Sequence, residues 1–126
     1  MRKHLFFICP TDFLESVVRE SFEGQHYFIS SLGNAAPMDA LEIGEIQRFI
    51  EEKEINEITL LLSDDNRIVQ EDLLMIHLRK RLTELNTHLK EEVRTQLRIN
   101  TKIYSRSFRT FHSAFVNDRY SEISLN

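Results

Sequence analysis

The distribution of apolar residues along the chain predicts alternating strands and helices. Three short runs, KHLFFIC (3–9), HYFIS (26–30) and EITLLLS (57–63), have the length and composition of buried strands. Between them, apolar residues recur at the spacing of amphipathic helices. They are Phe13, Val17, Val18 and Phe22 in the first helix, and Leu41, Ile43, Ile46, Phe49 and Ile50 in the second. The first half of the chain therefore has the order β-α-β-α-β.

Polar residues mark the starts of these predicted helices. We expect Thr11 to cap the first helix, with Asp12 in its first turn, and Asp39 to cap the second. The connections are long enough for crossovers between strands that run in the same direction. The strands are therefore expected to be parallel, in a layered α/β sheet.

The second half of the chain has a different pattern. Apolar residues recur every three or four positions without Pro or Gly, which predicts a long amphipathic helical stretch divided at Asn86-Thr87. They are Met75, Leu78, Leu82, Leu85, Leu89, Val93 and Leu97. Further on, Phe111, Ser113 and Phe115 alternate with His112, Ala114 and Val116, as in a strand. Asn117-Asp118 could form a turn into a closing strand. We predict one α/β domain (1–126): a three-layer parallel sheet of three to four strands flanked by helices, with a helix-rich C-terminal half.

The composition is that of a soluble globular chain. Its 126 residues, with 41% hydrophobic and 29% charged content, fit one domain with one core. No apolar run approaches the roughly 20 residues of a membrane helix, and the N-terminal run is too short for a signal-peptide core. Cys9 is the sole cysteine, so no internal disulfide can form. We therefore expect no membrane association and a cytoplasmic location.

The net charge of −4 is unevenly distributed. Residues 1–66 hold 5 Lys and Arg against 13 Asp and Glu, whereas residues 67–109 hold 10 against 5. One interpretation is that the acidic and basic halves pack together, within one chain or across a homodimer. The other is that the basic stretch 79–109 binds nucleic acid. Leucines run through the same stretch, which favours the interpretation that its basic residues form the solvated face of a core helix. Nucleic-acid binding is kept as an alternative.

Candidate chemistry lies at the ends of the predicted strands. Ligands of parallel sheets bind beyond the carboxyl ends of the strands, near a change in strand order. The candidate ligand-binding residues there are Cys9 and Asp12 after the first strand, Gly33 and Asn34 in the loop after the second, and Ser63, Asp64, Asp65 and Asn66 after the third. The alternative is that Thr11, Asp65 or Asn66 only caps a helix, with no ligand involved.

These strand ends resemble those of the β-class carbonic anhydrases. The likeness rests on a strand ending in Cys9, on SLGNAA (31–36) and on KEINEITLLLSDDN (53–66), and it covers roughly residues 3–69. In that family the first strand ends in Cys-x-Asp-x-Arg and the third in Gly-His-x-x-Cys, which supply three zinc ligands and an Asp–Arg pair. The resemblance implies this fold and a homodimer.

The chain departs from the family motifs at most of the ligand positions. Cys9 stands at the first one, but Ser63 and Asn66 stand where His and Cys are required. Asp12 comes one residue late, and Phe13 replaces the arginine. Because a catalytic zinc needs three His, Cys or carboxylate ligands, we expect no metal, no cofactor and no zinc-dependent activity.

The function that we expect is therefore that of a non-catalytic binding or regulatory module, a pseudoenzyme. The alternative is an unrecognised enzyme or a site for an unidentified small molecule, using Asp12, Asp64 and Asp65. A phosphorylated receiver domain is less consistent with the sequence, which lacks the acidic pair after the first strand. There is no G-x-G-x-x-G or P-loop, and the five histidines have no paired metal-binding spacing.

Overall fold

A computed structural model describes residues 1–115, and the side chains of residues 1–113. Its strands are β1 (Lys3–Ile8), β2 (Gln25–Ser30), β3 (Glu57–Ser63), β4 (Arg98–Ser105) and β5 (Thr110–Phe115). Its α-helices are α1 (Glu15–Ser21), α2 (Ala40–Lys53), α3 (Leu74–His88) and α4 (Glu91–Arg94), with 3-10 turns at Pro10–Asp12, Leu32–Asn34 and Glu71–Leu73. Among the described residues, no helix has the length and apolar character needed to cross a membrane.

The five strands form one sheet in the order β2-β1-β3-β4-β5. The first three pairs are parallel, and β5 pairs antiparallel with β4. The α/β class and the parallel core that the sequence predicted are confirmed. The sheet has five strands rather than three or four, because residues 98–105 and 110–115 form an additional hairpin.

Helices cover both faces of the sheet, which gives the predicted three layers. Side chains of α2 and α3 pack with one set of alternating strand residues, including Leu5, Phe7, Leu60 and Leu62. Leu14 and Val18, before and within α1, pack with the other set, including Phe6, Ile8 and Leu61. Every residue of β3 is buried, as expected for a central strand with helices on both sides.

The first helix starts later than the sequence predicted. Residues Pro10–Asp12 form a 3-10 turn, Phe13 adopts a left-handed conformation (φ 52°, ψ 47°), and α1 begins only at Glu15. Thr11 is therefore not the cap of α1, and Asp12 is not in its first turn. Phe13, predicted to lie on the buried helix face, is 79% exposed. The neighbouring Asp12 is buried instead, where its carboxylate accepts hydrogen bonds from Ser63 and Asn66.

The long helical stretch is interrupted at a different place and ends earlier than predicted. It breaks at residues 89–90 instead of Asn86-Thr87, and β4 follows from Arg98. Leu78, Leu82 and Leu85 are buried as predicted, but Leu74 takes the core position that was assigned to Met75. The second half is thus a mixture of helix and strand and not simply helix-rich. The predicted turn at Asn117-Asp118 lies outside the described residues.

Candidate functional site

The polar residues that follow β1 and β3 meet at the carboxyl edge of the sheet, as predicted. The two strands are neighbours, so the turn after β1 lies against the end of β3. The Asp12 side chain is buried there. Its Oδ2 accepts a hydrogen bond from the Ser63 backbone N–H at 2.9 Å, and its Oδ1 accepts one from Asn66 Nδ2 at 2.9 Å. A carboxylate from one loop therefore fixes the start of the other.

Arg106, directly after β4, ties these loops together. Its guanidinium donates from Nη2 to the Asp12 carbonyl at 2.8 Å and to Ser63 Oγ at 3.3 Å, and from Nε to Asp65 Oδ2 at 3.1 Å. Its backbone N–H donates to Asp64 Oδ1 at 3.2 Å. We call Asp12, Ser63, Asp64, Asp65, Asn66 and Arg106 the strand-end cluster.

Arg106 was not among the site residues that the sequence predicted. It was counted with the basic stretch 79–109, and no strand was assigned to residues 98–105. The available signal was the strand RINTKIYS (98–105), whose end brings Arg106 to the same edge as Ser63.

The two carboxyl groups nearest Ser63 have opposite pKa shifts. Burial raises the pKa of Asp12, with a further contribution from the Asp65 charge, and outweighs the hydrogen bonds from Ser63 and Asn66. The Ser63 hydroxyl, which donates to Asp65 Oδ1, is the main reason that the pKa of Asp65 is lowered, and Arg106 adds to the effect. Asp65 is thus the anion to which the hydroxyl and the guanidinium are directed.

Asn66 organises the loop after β3. Its Oδ1 accepts hydrogen bonds from the backbone N–H groups of Ile68 at 2.9 Å and Val69 at 2.8 Å. The prediction that Asp65 or Asn66 accepts from a backbone N–H is confirmed for Asn66. The prediction that this stretch starts the next helix is wrong, since α3 begins only at Leu74. Asn66 therefore closes a loop turn.

Cys9 lies beside this cluster, on the other side of the turn. Its Sγ accepts from the Gly33 backbone N–H at 3.2 Å and is 3.1 Å from Thr11 Oγ1. Burial raises the pKa of the thiol, but hydrogen bonds from Thr11, the Asn66 side chain and Gly33 outweigh it, so the net pKa is lowered. The side chain has no exposed surface. The thiol is thus a buried acceptor that holds the loop after β2.

Gly33 and Asn34 fasten the loop after β2 to the sheet. Asn34 Nδ2 donates to the carbonyls of Phe7 at 2.9 Å and Leu61 at 3.1 Å, and so bridges β1 and β3. Gly33 has a φ of 63°, and a Cβ there would lie 2.7 Å from an Ile68 methyl group. These two predicted residues lie at the edge of the site, where they hold the backbone of the loop after β2 against the sheet.

Much of the basic stretch 79–109 serves the fold. Arg81 is buried and donates to the Ala36 carbonyl, Arg94 donates to the Asn86 carbonyl at 2.8 Å, and Arg106 holds the strand-end cluster. Lys102 is half-buried, and burial is the main reason that its pKa is lowered. These residues come from a helix, a loop and a strand, so the stretch does not form the single helical face that the sequence suggested.

The candidate residues do not form a metal-binding group. Within the described part of the chain, no three His, Cys, Asp or Glu side chains converge in a way that could hold a metal ion. The groups nearest to Cys9 in the site are a hydroxyl, an amide and the backbone N–H of Gly33. The chemistry offered at this edge is hydrogen bonding and charge.

No protein-family profile and no curated protein sequence matches this chain. Solved structures do. The chain is similar to the β-carbonic anhydrase CafA of the fungal pathogen Aspergillus fumigatus, with 10% identity over 98% of this chain and 81% of that one, and a TM-score of 0.67.

Two further β-carbonic anhydrases have the same arrangement of elements. Wild-type CafD of Aspergillus fumigatus is 14% identical over 90% of this chain and 89% of its own, with a TM-score of 0.61. CcaA is 13% identical over 90% of this chain and 80% of its own, with a TM-score of 0.62. At such low identity the likeness concerns the fold, and it agrees with the resemblance seen at the strand ends. The chain therefore has the fold of the β-carbonic anhydrases.

Proposed function

We propose that this protein is a non-catalytic domain with the β-carbonic anhydrase fold that acts as a binding or regulatory module. The observation that carries the proposal is the position and the hydrogen bonding of Ser63 and Asn66. Both stand where the resemblance requires zinc ligands, and both are engaged in hydrogen bonds with Asp12 or Asp65. The edge of the sheet that would hold the metal is instead held together by Arg106.

The groups present do not fit a catalytic zinc. Zn²⁺ is bound by thiolates, imidazoles and carboxylates, with one position left open for water. Cys9 supplies one thiol, whereas the hydroxyl of Ser63 and the amide of Asn66 are poor ligands. The Asp12 carboxylate accepts an N–H group on each of its oxygens. A metal there would have to break the contacts that order both loops.

The alternative of an enzyme acting through Asp12, Asp64 and Asp65 has one observation in its favour, since burial raises the pKa of Asp12. Raised carboxyl pKa values are common at catalytic sites. However, each of the three carboxylates already accepts hydrogen bonds from Arg106, Ser63 or Asn66. This arrangement supports a structural role better than proton transfer.

A homodimer remains part of the proposal. Its support is the resemblance, which implies a dimer, together with the apolar side chain of Phe108 in the β4–β5 hairpin, which is 80% exposed. Exposed apolar surface often marks an association surface.

Zinc analysis and carbon dioxide hydration test the proposal directly. The purified protein should contain no stoichiometric zinc and should not hydrate carbon dioxide above background. Supplying the missing ligands through the double substitution Ser63→His and Asn66→Cys should create zinc binding, and Cys9→Ser in that background should remove it. One zinc per chain in the unmodified protein, lost on Cys9→Ser alone, would contradict the proposal.

A further inference from the structure

A cleft of about 400 Å³ opens beside the start of α1, and no residue of the strand-end cluster is among those that line it. Its volume is in the range of small-molecule sites. It lies between the ends of β1 and β2 and the start of α1. The residues that line it are Ile8, Cys9, Pro10, Phe13, Leu14, Glu15, Ser16 and Ser30.

The mouth of the cleft carries an aromatic side chain in an unusual position. Phe13 combines 79% exposure with a left-handed backbone conformation, which is uncommon for a bulky residue and costs free energy. Phe13 directly follows the buried Asp12 and is among the residues that line the cleft. The cleft thus has an aromatic side chain as well as the apolar side chains of Ile8 and Leu14.

The charge of the cleft selects the kind of ligand. Glu15 is the one charged residue among those that line it, and Ser16 and Ser30 add hydroxyl groups. Neither Arg19 nor Arg106 is among the lining residues: the Arg19 guanidinium lies 5.0 Å from the centre of the Phe28 ring, and Arg106 pairs with Asp65. A carboxylate and an aromatic side chain in one cleft favour a cation, because both attract positive charge.

We propose that this cleft binds a small organic amine with an apolar body. The ammonium group would meet Glu15 and the serine hydroxyls, and the apolar body would pack between Leu14, Ile8 and the Phe13 ring. This inference assigns a class of ligand to the binding role proposed above, and it therefore rests on that proposed function. Zinc content and carbon dioxide hydration test the absence of catalysis, and their outcome is independent of amine binding.

Titration of the ¹⁵N-labelled protein with 2-phenylethylamine, followed by amide chemical shifts, tests the proposal. We expect saturable shifts concentrated at residues 8–16 and at Ser30. Phenylacetate has a similar apolar body with the opposite charge and should bind more weakly by about fivefold or more, as for loss of an ion pair. Equal binding of the two probes, or shifts spread over the whole chain, would overturn the proposal.

Two substitutions locate the site. Glu15→Gln should weaken amine binding by about fivefold, while Glu20→Gln, on the exposed surface of the same helix, is the matched control and should leave it unchanged. Phe13→Ala should weaken it by about threefold if the ring contributes a cation–π contact.

Self-association gives the competing explanation for Phe13. If its amide shifts depend on protein concentration without amine, and phenylethylamine causes none that saturate, the surface binds a second copy of this chain and the small-molecule proposal is wrong.

Discussion

The folded protein should lose stability on acidification through one buried histidine, His4 in β1. The ring is stacked on Phe6 at 3.9 Å and is 1% exposed. Burial lowers the pKa of His4 from 6.5 to about 4, and the opposing effect of Glu57 is smaller. Thr59 Oγ1, 2.7 Å from His4 Nε2, donates onward to Asn100 Oδ1, so the imidazole serves as a neutral N–H donor.

The magnitude follows from the two pKa values. Between pH 6.5 and about 4 the unfolded chain binds a proton at His4 and the folded chain does not, so stability falls as pH falls. The stability that this neutral histidine contributes is therefore complete above pH 6.5 and is lost towards pH 4. Going from pH 7.5 to 4.5 should cost about 2.5 kcal/mol through this group alone, at about 1.4 kcal/mol per pKa unit.

Urea unfolding at several pH values, followed by circular dichroism, measures this effect. Other groups also titrate, so the informative quantity is the difference between the unmodified protein and His4→Gln, which keeps an N–H donor for Thr59 but has no titrating ring. The unmodified protein should lose about 2.5 kcal/mol more than the variant over this range. His88→Gln, at the exposed end of α3, controls for removal of a histidine. An equal pH dependence in the unmodified protein and His4→Gln would refute the reasoning.

Four further predictions concern the strand ends and association. Arg106→Met removes three side-chain hydrogen bonds, one of them the ion pair with Asp65, and should lower the free energy of unfolding by about 1–3 kcal/mol in urea, with the exposed Arg67→Met as its control. Asn66→Ala should cost about 1–3 kcal/mol, since it leaves buried Asp12 short of one donor and two backbone N–H groups without their acceptor. Cys9→Ser should cost only on the order of 1 kcal/mol, because it changes a small buried side chain that keeps its polar neighbours. Sedimentation should detect a homodimer, and a 15.0 kDa species at high concentration and physiological salt would count against it.

The parallel core of the sheet could be predicted because its signal is local. The apolar run of β3 is unbroken, since both of its faces are covered, and the residues between the strands have helical periodicity. The positions of Asp12 and Ser63 at one edge followed from the order of elements alone. A pattern of burial along the chain was enough to bring these polar groups to one edge of the sheet.

The hairpin of β4 and β5 could not be predicted in the same way. In β4, Asn100 and Lys102 lie on the sheet face that also carries His4 and Thr59, so polar residues alternate where a buried strand would be apolar. Asn100 is buried because it accepts from Thr59 and donates to Glu57 at 3.2 Å. The basic residues of the stretch then suggested a solvated helix. Strand β4 can be buried because its polar side chains find hydrogen-bond partners on a neighbouring strand.

The sequence by itself determined which segments of the first half are buried and in which order strands and helices alternate there, because burial of apolar side chains depends on each segment's own pattern. The tertiary structure decided where the polar groups go. Asp12 reaches Ser63 across 51 positions, and Arg106 reaches the Asp12 carbonyl across 94. A buried carboxylate must be satisfied by donors wherever the fold brings them. That requirement turned Asp12 inward, turned Phe13 outward and delayed the first helix, against the local periodicity.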